Sequence, residues 1–139
     1  MSAKDKFHDA VKRGLQKQGW IITHDPLRVE FGEEDEIRID LGAERLIAAE
    51  KGEEKIAVEV KSFLSDSALF DFHTALGQFL NYRLVLEMSE PNRILYLAVP
   101  ISAYESFFRR DLPKASIQKY QVKLIVYNPV NEVIILWNV

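Results

Sequence analysis

The sequence predicts an α/β (α+β) fold in which helices flank a central mixed sheet, in the order α-β-β-β-α-β with a C-terminal β-hairpin. Three observations support this prediction. A helical repeat of apolar residues lies near the start of the chain, two strand-like runs surround a short turn, and a long amphipathic helix precedes an apolar run. The chain has 139 residues, of which 47% are hydrophobic, and this size suits a single domain spanning residues 1–139.

The first predicted elements are one helix and several short extended pieces. Helical spacing of apolar residues indicates the helix, which Gly19 ends. WIITH is typical of a short strand, and HDP turns the chain into LRVEF, a second extended piece. The tetrapeptide KGEE is turn-like, so the run before it and KIAVEVKSF after it form a predicted hairpin.

The second half of the chain alternates helices and strands. Capping residues in SDSA precede a helix predicted from Leu69 to Met88. RILYLAV predicts a strand buried on both faces and ended by Pro100. ISAYESFFRR predicts a third helix, KASIQKY a weaker helical turn, and VKLIVYNPVNEVIILW a terminal hairpin.

Composition excludes several classes of protein. The chain has no cysteine, so disulfides, thiol nucleophiles and cysteine-ligated zinc are excluded. It has no nucleophile elbow, phosphate-binding glycine loop or dinucleotide fingerprint, which argues against acyl hydrolases, NTPases and dehydrogenases. No signal peptide or transmembrane-length apolar stretch appears, so we expect a soluble, cytoplasmic protein without membrane contact.

The net charge of −3 argues against non-specific coating of nucleic acid. Any DNA contact is therefore expected on a narrow basic strip. The first helix offers such a strip in Lys12, Arg13 and Lys17, which makes Lys12 and Arg13 predicted substrate-binding residues.

The strand KIAVEVKSF carries a charged pair where apolar residues would pack better. Because side chains alternate along a strand, Glu59 and Lys61 share a face with Ala57. The preceding strand region, laid antiparallel across the KGEE turn, would bring Asp40 to the same end of the sheet. Buried charges of this kind must be paired or bound to an ion, unless the face is a solvated charge ladder.

Two carboxylates beside a lysine suit metal-assisted hydrolysis of a phosphodiester. Asp40, Glu59 and the backbone carbonyl of Val60 are the predicted ligands of Mg2+ or Mn2+. Lys61 would stabilise developing negative charge or help to deprotonate the attacking water. If the strand register differs by a few residues, Glu44 or Glu50 could replace Asp40, and the alternative for Asp40 is a turn residue before Leu41-Gly42.

Asp40, eighteen intervening residues and then Glu59-Val60-Lys61 resemble the signature of the PD-(D/E)XK superfamily of restriction-endonuclease-like nucleases. Gln78 and Tyr82, one helical step of four apart, are similar to the QxxxY motif of RecB-like members. The resemblance implies a catalytic role for Gln78 and a substrate-orienting role for Tyr82.

That superfamily often adds an acidic residue from its first helix. Asp9 is the best candidate for this position, with Asp5 and His8 as rivals. The superfamily's Pro before the aspartate is replaced by Ile39 in this chain.

Three longer strings resemble the XisH family over essentially the full chain. They are FHDAVKRGLQKQGW, THDPL and IDLGAERLIAAEKGEEKIAVEVKSF. The resemblance implies a role as a controlling factor for excision of the fdxN DNA element of heterocyst-forming cyanobacteria. It also implies DNA, an XisI-like protein and a site-specific recombinase as partners.

Two functions are consistent with these patterns. The first is a Mg2+-dependent endodeoxyribonuclease, and the second is a non-catalytic accessory factor that binds DNA or a partner protein during DNA rearrangement. Spare aromatic residues in the C-terminal third of the chain also predict a homodimer or a complex with an XisI-like protein.

Overall fold

A computed structural model describes residues 3–29 and 46–138 and confirms the mixed fold with a central sheet between helices. The helices are α1 (Ala3–Lys17), α2 (Ala68–Ser89), α3 (Ile101–Glu105) and α4 (Asp111–Tyr120), with a 3-10 turn at Phe107–Arg109. The strands are β1 (Ile21–His24), β2 (Leu46–Lys51), β3 (Glu54–Val60), β4 (Arg93–Pro100), β5 (Leu124–Asn128) and β6 (Val133–Asn138).

The six strands form one sheet in the order β1-β2-β3-β4-β5-β6. The pairs β3–β4 and β4–β5 are parallel, and the other pairs are antiparallel. The predicted hairpin around KGEE is confirmed, with Leu46 opposite Glu59 and Lys51 opposite Glu54. Glu59 therefore lies at the carboxyl end of β3, which we call the Glu59 end of the sheet.

Alternation along β3 divides the interior into two cores, one on each face of the sheet. Ile56, Val58 and Val60 pack in the core that holds α1. Ala57 packs on the opposite face, in the core that holds α2. Glu59 has the same parity as Ala57, so its side chain faces the α2 side.

Helix α2 begins and ends close to its predicted bounds. The side chain of Ser67 caps it by accepting a hydrogen bond of 3.1 Å from the backbone N–H of Phe70. The helix has 22 residues, but none of the helices in residues 3–29 and 46–138 is long and apolar enough to cross a membrane.

Helix predictions after β4 need correction. The third helix stops at Glu105, because the consecutive Phe107 and Phe108 are both buried and the chain tightens into a 3-10 turn to place them. The weak helical turn is in fact the ten-residue α4. Asp111 lies in the first turn of α4, where its negative charge interacts favourably with the positive end of the helix dipole. Pro113 is tolerated in the same turn, because backbone N–H groups there have no partner within the helix.

The predicted extended piece LRVEF is not a strand over Leu27–Val29, and its remainder lies outside the described residues. The side chains of Leu27 and Val29 are buried in the core on the α2 side. The Leu27 N–H donates a hydrogen bond of 2.7 Å to the Leu46 carbonyl. This segment therefore contributes core side chains instead of a strand ladder.

Candidate active site

Glu59 of β3 is buried at the Glu59 end of the sheet, and Lys61, just after the strand, is largely shielded from water. Glu59 is only 3% exposed. Lys61 Nζ lies 3.4 Å from Glu59 Oε1, with 14% of the lysine side chain exposed. This burial excludes the solvated charge ladder, because a ladder would leave both side chains in water.

Helix α2 adds an amide to this pair. Lys61 Nζ donates a hydrogen bond of 2.6 Å to Gln78 Oε1, although the two residues are 17 positions apart. We call Glu59, Lys61 and Gln78 the lysine cluster. Tyr82 lies one helical step beyond Gln78 and is 7% exposed, with its ring in the core between α2 and the sheet.

The backbone of Lys61 is held by the neighbouring strands. Its N–H donates a 3.0 Å hydrogen bond to the Ala98 carbonyl of β4. Its carbonyl accepts a 2.9 Å hydrogen bond from the hydroxyl of Tyr127, a fully buried residue of β5. Sequence analysis missed Tyr127, because no local pattern signals a contact across 66 positions. These bonds fix the point at which the chain leaves β3.

The predicted metal ligands are only partly described. Asp40 and its alternative Glu44 lie outside the described residues, and the described chain resumes at Leu46, directly opposite Glu59. The side chain of Val60 is buried on the α1 side. In the part of the chain that the structure describes, no group of three His, Asp or Glu residues could hold a metal ion. A metal at the lysine cluster would therefore need Asp40 or another oxygen ligand beside Glu59.

Glu50 cannot take the place of Asp40. It lies opposite Lys55, four residues from Leu46 along β2 and so roughly 13 Å from the residue opposite Glu59. Its carboxylate lies 3.5 Å from Arg93 Nη2 instead. The register thus excludes an ion shared by Glu50 and Glu59.

His8 and Lys12 of α1 form a separate set with Asp25, which we call the Asp25 cluster. His8 Nε2 lies 2.8 Å from Asp25 Oδ1, and Lys12 Nζ donates a 2.9 Å hydrogen bond to Asp25 Oδ2. Burial alone raises the pKa of the Asp25 carboxyl, but Lys12 and His8 together outweigh it and hold this pKa below its ordinary value of 3.8. His8, a rival for the acidic position of α1, is thus engaged with Asp25, while Asp9 is half-buried.

Arg13 and Lys17 of α1 are also engaged. Arg13 forms an ion pair with Glu132. The hydrogen bond that Arg13 donates to the Glu132 carboxylate raises the pKa of the guanidinium. Lys17 donates to the backbone carbonyls of Asn131 and Glu132 at 3.0 and 2.9 Å. Since α1 packs on the opposite face of the sheet from α2, the structure does not bring Lys12 and Arg13 together with the lysine cluster.

Comparisons with known proteins agree on one family. The family model described as XisH protein matches residues 1–135. A search of curated proteins gave no significant match.

Two crystal structures are similar over nearly the whole chain. An XisH family protein from Nostoc punctiforme is 50% identical, with a TM-score of 0.89, covering 97% of this chain and 100% of that one. An fdxN element excision controlling factor protein from Anabaena variabilis is 51% identical, with a TM-score of 0.88, covering 97% and 99%. This chain therefore belongs to the XisH family.

Proposed function

We propose that this protein is a divalent-metal-dependent endonuclease that hydrolyses DNA phosphodiester bonds during excision of a DNA element. The observation that carries the proposal is the lysine cluster. Glu59, Lys61 and Gln78 come from a strand and a helix, yet Lys61 Nζ lies within 3.4 Å of the carboxylate and 2.6 Å of the amide. Glu59, Lys61 and Gln78 are three of the residues that the nuclease-like motifs bring together, and Asp40 is the fourth that the proposal requires.

Each member has a defined chemical task in this proposal. Glu59 and Asp40 would hold Mg2+ or Mn2+, and the Val60 carbonyl would be a further oxygen ligand. When bound at these residues, such an ion would act as a Lewis acid toward the phosphate and would lower the pKa of a water molecule. Lys61 stabilises negative charge on the phosphate, and Gln78 positions the lysine by accepting its hydrogen bond.

The relatives supply the biological setting. The similar protein of Anabaena variabilis is named as an excision controlling factor of the fdxN element. Excision requires phosphodiester bonds to break, which is the reaction that a nuclease catalyses. We propose that this protein nicks DNA beside a site-specific recombinase. A homodimer and an XisI-like protein are the further partners that we propose.

A non-catalytic DNA- or partner-binding factor is the second candidate. One observation favours it: the described residues bring a single carboxylate, Glu59, to Lys61, and a hard cation generally needs more oxygen ligands. Under this alternative the cluster would be a structural ion pair.

Cleavage of supercoiled plasmid DNA with Mg2+ or Mn2+ separates the two candidates. We expect nicking by the parent protein and by Glu53→Gln, a control at an exposed acid in the turn between β2 and β3. Glu59→Gln keeps the shape of the side chain but removes a metal ligand, so it should abolish nicking. No metal-dependent nicking by the parent protein, or equal nicking by Glu59→Gln, would favour the binding factor.

A further inference from the structure

We propose that a basic face formed by the 3-10 turn, α4 and the ends of β5 and β6 is the surface that contacts the phosphate backbone of duplex DNA. The inference rests on the proposed function and names where that substrate lies. It differs from the sequence-based prediction, which placed the contact on α1.

Charge separates this part of the chain from the rest. Residues 109–123 carry five cationic side chains and one acidic side chain, in a protein whose net charge is −3. Arg109, Lys114 and Lys119 are exposed, and Lys123 is half-buried. No ion pair joins these side chains to a carboxylate within residues 3–29 and 46–138.

Two adjoining clefts of about 370 and 480 Å3 run along this face. They share Ile117, Gln118 and Asn138, which makes them one continuous groove. Arg109 and Lys114 line the first cleft, and Lys123 lines the second. None of the described residues that line either cleft is acidic.

The polar side chains of the groove suit a phosphodiester backbone. Lys114 and Gln118 are one helical step apart on α4, so they project from the same face of the helix. Gln118, Gln121 and Asn138 add exposed amides, which donate hydrogen bonds to phosphate and sugar oxygens without requiring a particular base. The groove therefore favours a polyanion over a neutral or cationic ligand.

The position of the groove also fits the lysine cluster. The ring of Phe63, two residues after Lys61, lies 5.3 Å from the ring of Phe108. Arg109 follows Phe108 directly in the chain and lines the first cleft. A duplex held along α4 thus begins beside the point where the chain leaves β3.

Fluorescence anisotropy of a labelled DNA duplex in EDTA tests the surface without cleavage. The triple variant Arg109→Gln, Lys114→Gln, Lys123→Gln should bind on the order of tenfold to a hundredfold more weakly at moderate salt. The slope of log K against the logarithm of the salt concentration should also become shallower by about two to three, because each lost phosphate contact lowers its magnitude by about one. The matched control replaces three exposed lysines elsewhere, Lys6, Lys51 and Lys55, by glutamine and changes the net charge equally.

Equal weakening in the two triple variants would overturn the inference, as would no DNA binding by the parent protein or tighter binding of duplex RNA. Circular dichroism and Tm confirm that both variants fold. This binding measurement is separate from the plasmid nicking assay, so failure of the basic face and failure of the nuclease can be told apart. If the triple variant loses affinity and the parent protein does not nick plasmid DNA, the basic face is supported and the nuclease is refuted. If the parent protein nicks DNA with metal and the triple variant keeps its affinity, the nuclease is supported and the basic face is refuted.

Discussion

The two faces of the sheet each carry a buried group of charges, and they differ in how those charges are balanced. On the α1 face, Asp25 bridges His8 and Lys12 at 2.8 and 2.9 Å. On the α2 face, Lys61 lies between the Glu59 carboxylate and the neutral Gln78 amide. The first arrangement binds a helix to the turn after β1, whereas the second fixes one ammonium at a sheet end. We infer that the Asp25 cluster serves stability and the lysine cluster serves chemistry.

The largest expected effect separates the clusters by activity. Lys61→Met should lower metal-dependent nicking by a factor on the order of 10² to 10³, because it removes the cation that stabilises the reacting phosphate. Rates of plasmid nicking at saturating Mg2+ measure this. The control Lys55→Met changes an exposed lysine at the other end of β3, and nicking as slow as in Lys61→Met would place the effect outside the cluster.

The next effect separates the clusters by stability. Asp25→Asn should lower the free energy of unfolding by about 2 kcal/mol, since it weakens two charged hydrogen bonds at a largely buried carboxylate. Urea denaturation checks the value against Asp66→Asn, at an exposed acid. Nicking per folded molecule should be unchanged, and its loss would mean that the α1 face takes part in the reaction.

The contribution of Asp25 to the free energy of unfolding should also depend on pH. The folded-state pKa of Asp25 lies below its ordinary value of 3.8, so its contribution is complete above that value and is lost as the pH falls through the folded pKa. The gap in unfolding free energy between the parent protein and Asp25→Asn should therefore be constant down to about pH 5 and shrink below about pH 4. A gap that widens on acidification would show that the pKa is raised.

The smallest effect concerns the backbone beneath the lysine cluster. Tyr127→Phe should lower the free energy of unfolding by about 1 kcal/mol, because it removes the hydroxyl bond to the Lys61 carbonyl and keeps the ring. Urea denaturation measures it beside Tyr120→Phe, an exposed control. A stability equal to that of the parent protein would mean that the strand end does not depend on this bond.

Local patterns predicted much of the fold and the members of the lysine cluster. Helical spacing placed α2 within a residue at each end, and strand alternation placed Glu59 on the face opposite Val58. The resemblance to the QxxxY motif also singled out Gln78. Asp40 stays a prediction, as does the metal that it would bind.

The failures involve contacts between distant parts of the chain. Arg13 forms an ion pair with Glu132 across 119 positions, which no local pattern indicated, while its predicted contact with DNA stays a prediction. The hydrogen bond from the Tyr127 hydroxyl to the Lys61 carbonyl likewise could not be predicted from any local pattern. Such contacts depend on sheet order and helix placement, and residue periodicity contains neither.

Calorimetric titration with Mn2+ tests the central claim most directly, because it asks whether the charges at the Glu59 end hold a cation. The parent protein and Glu53→Gln should bind Mn2+ with measurable heat. Asp40→Asn and Glu59→Gln should each lose that heat while remaining folded. Equal heats in all four proteins, or none in the parent protein, would contradict a metal site built on these two carboxylates.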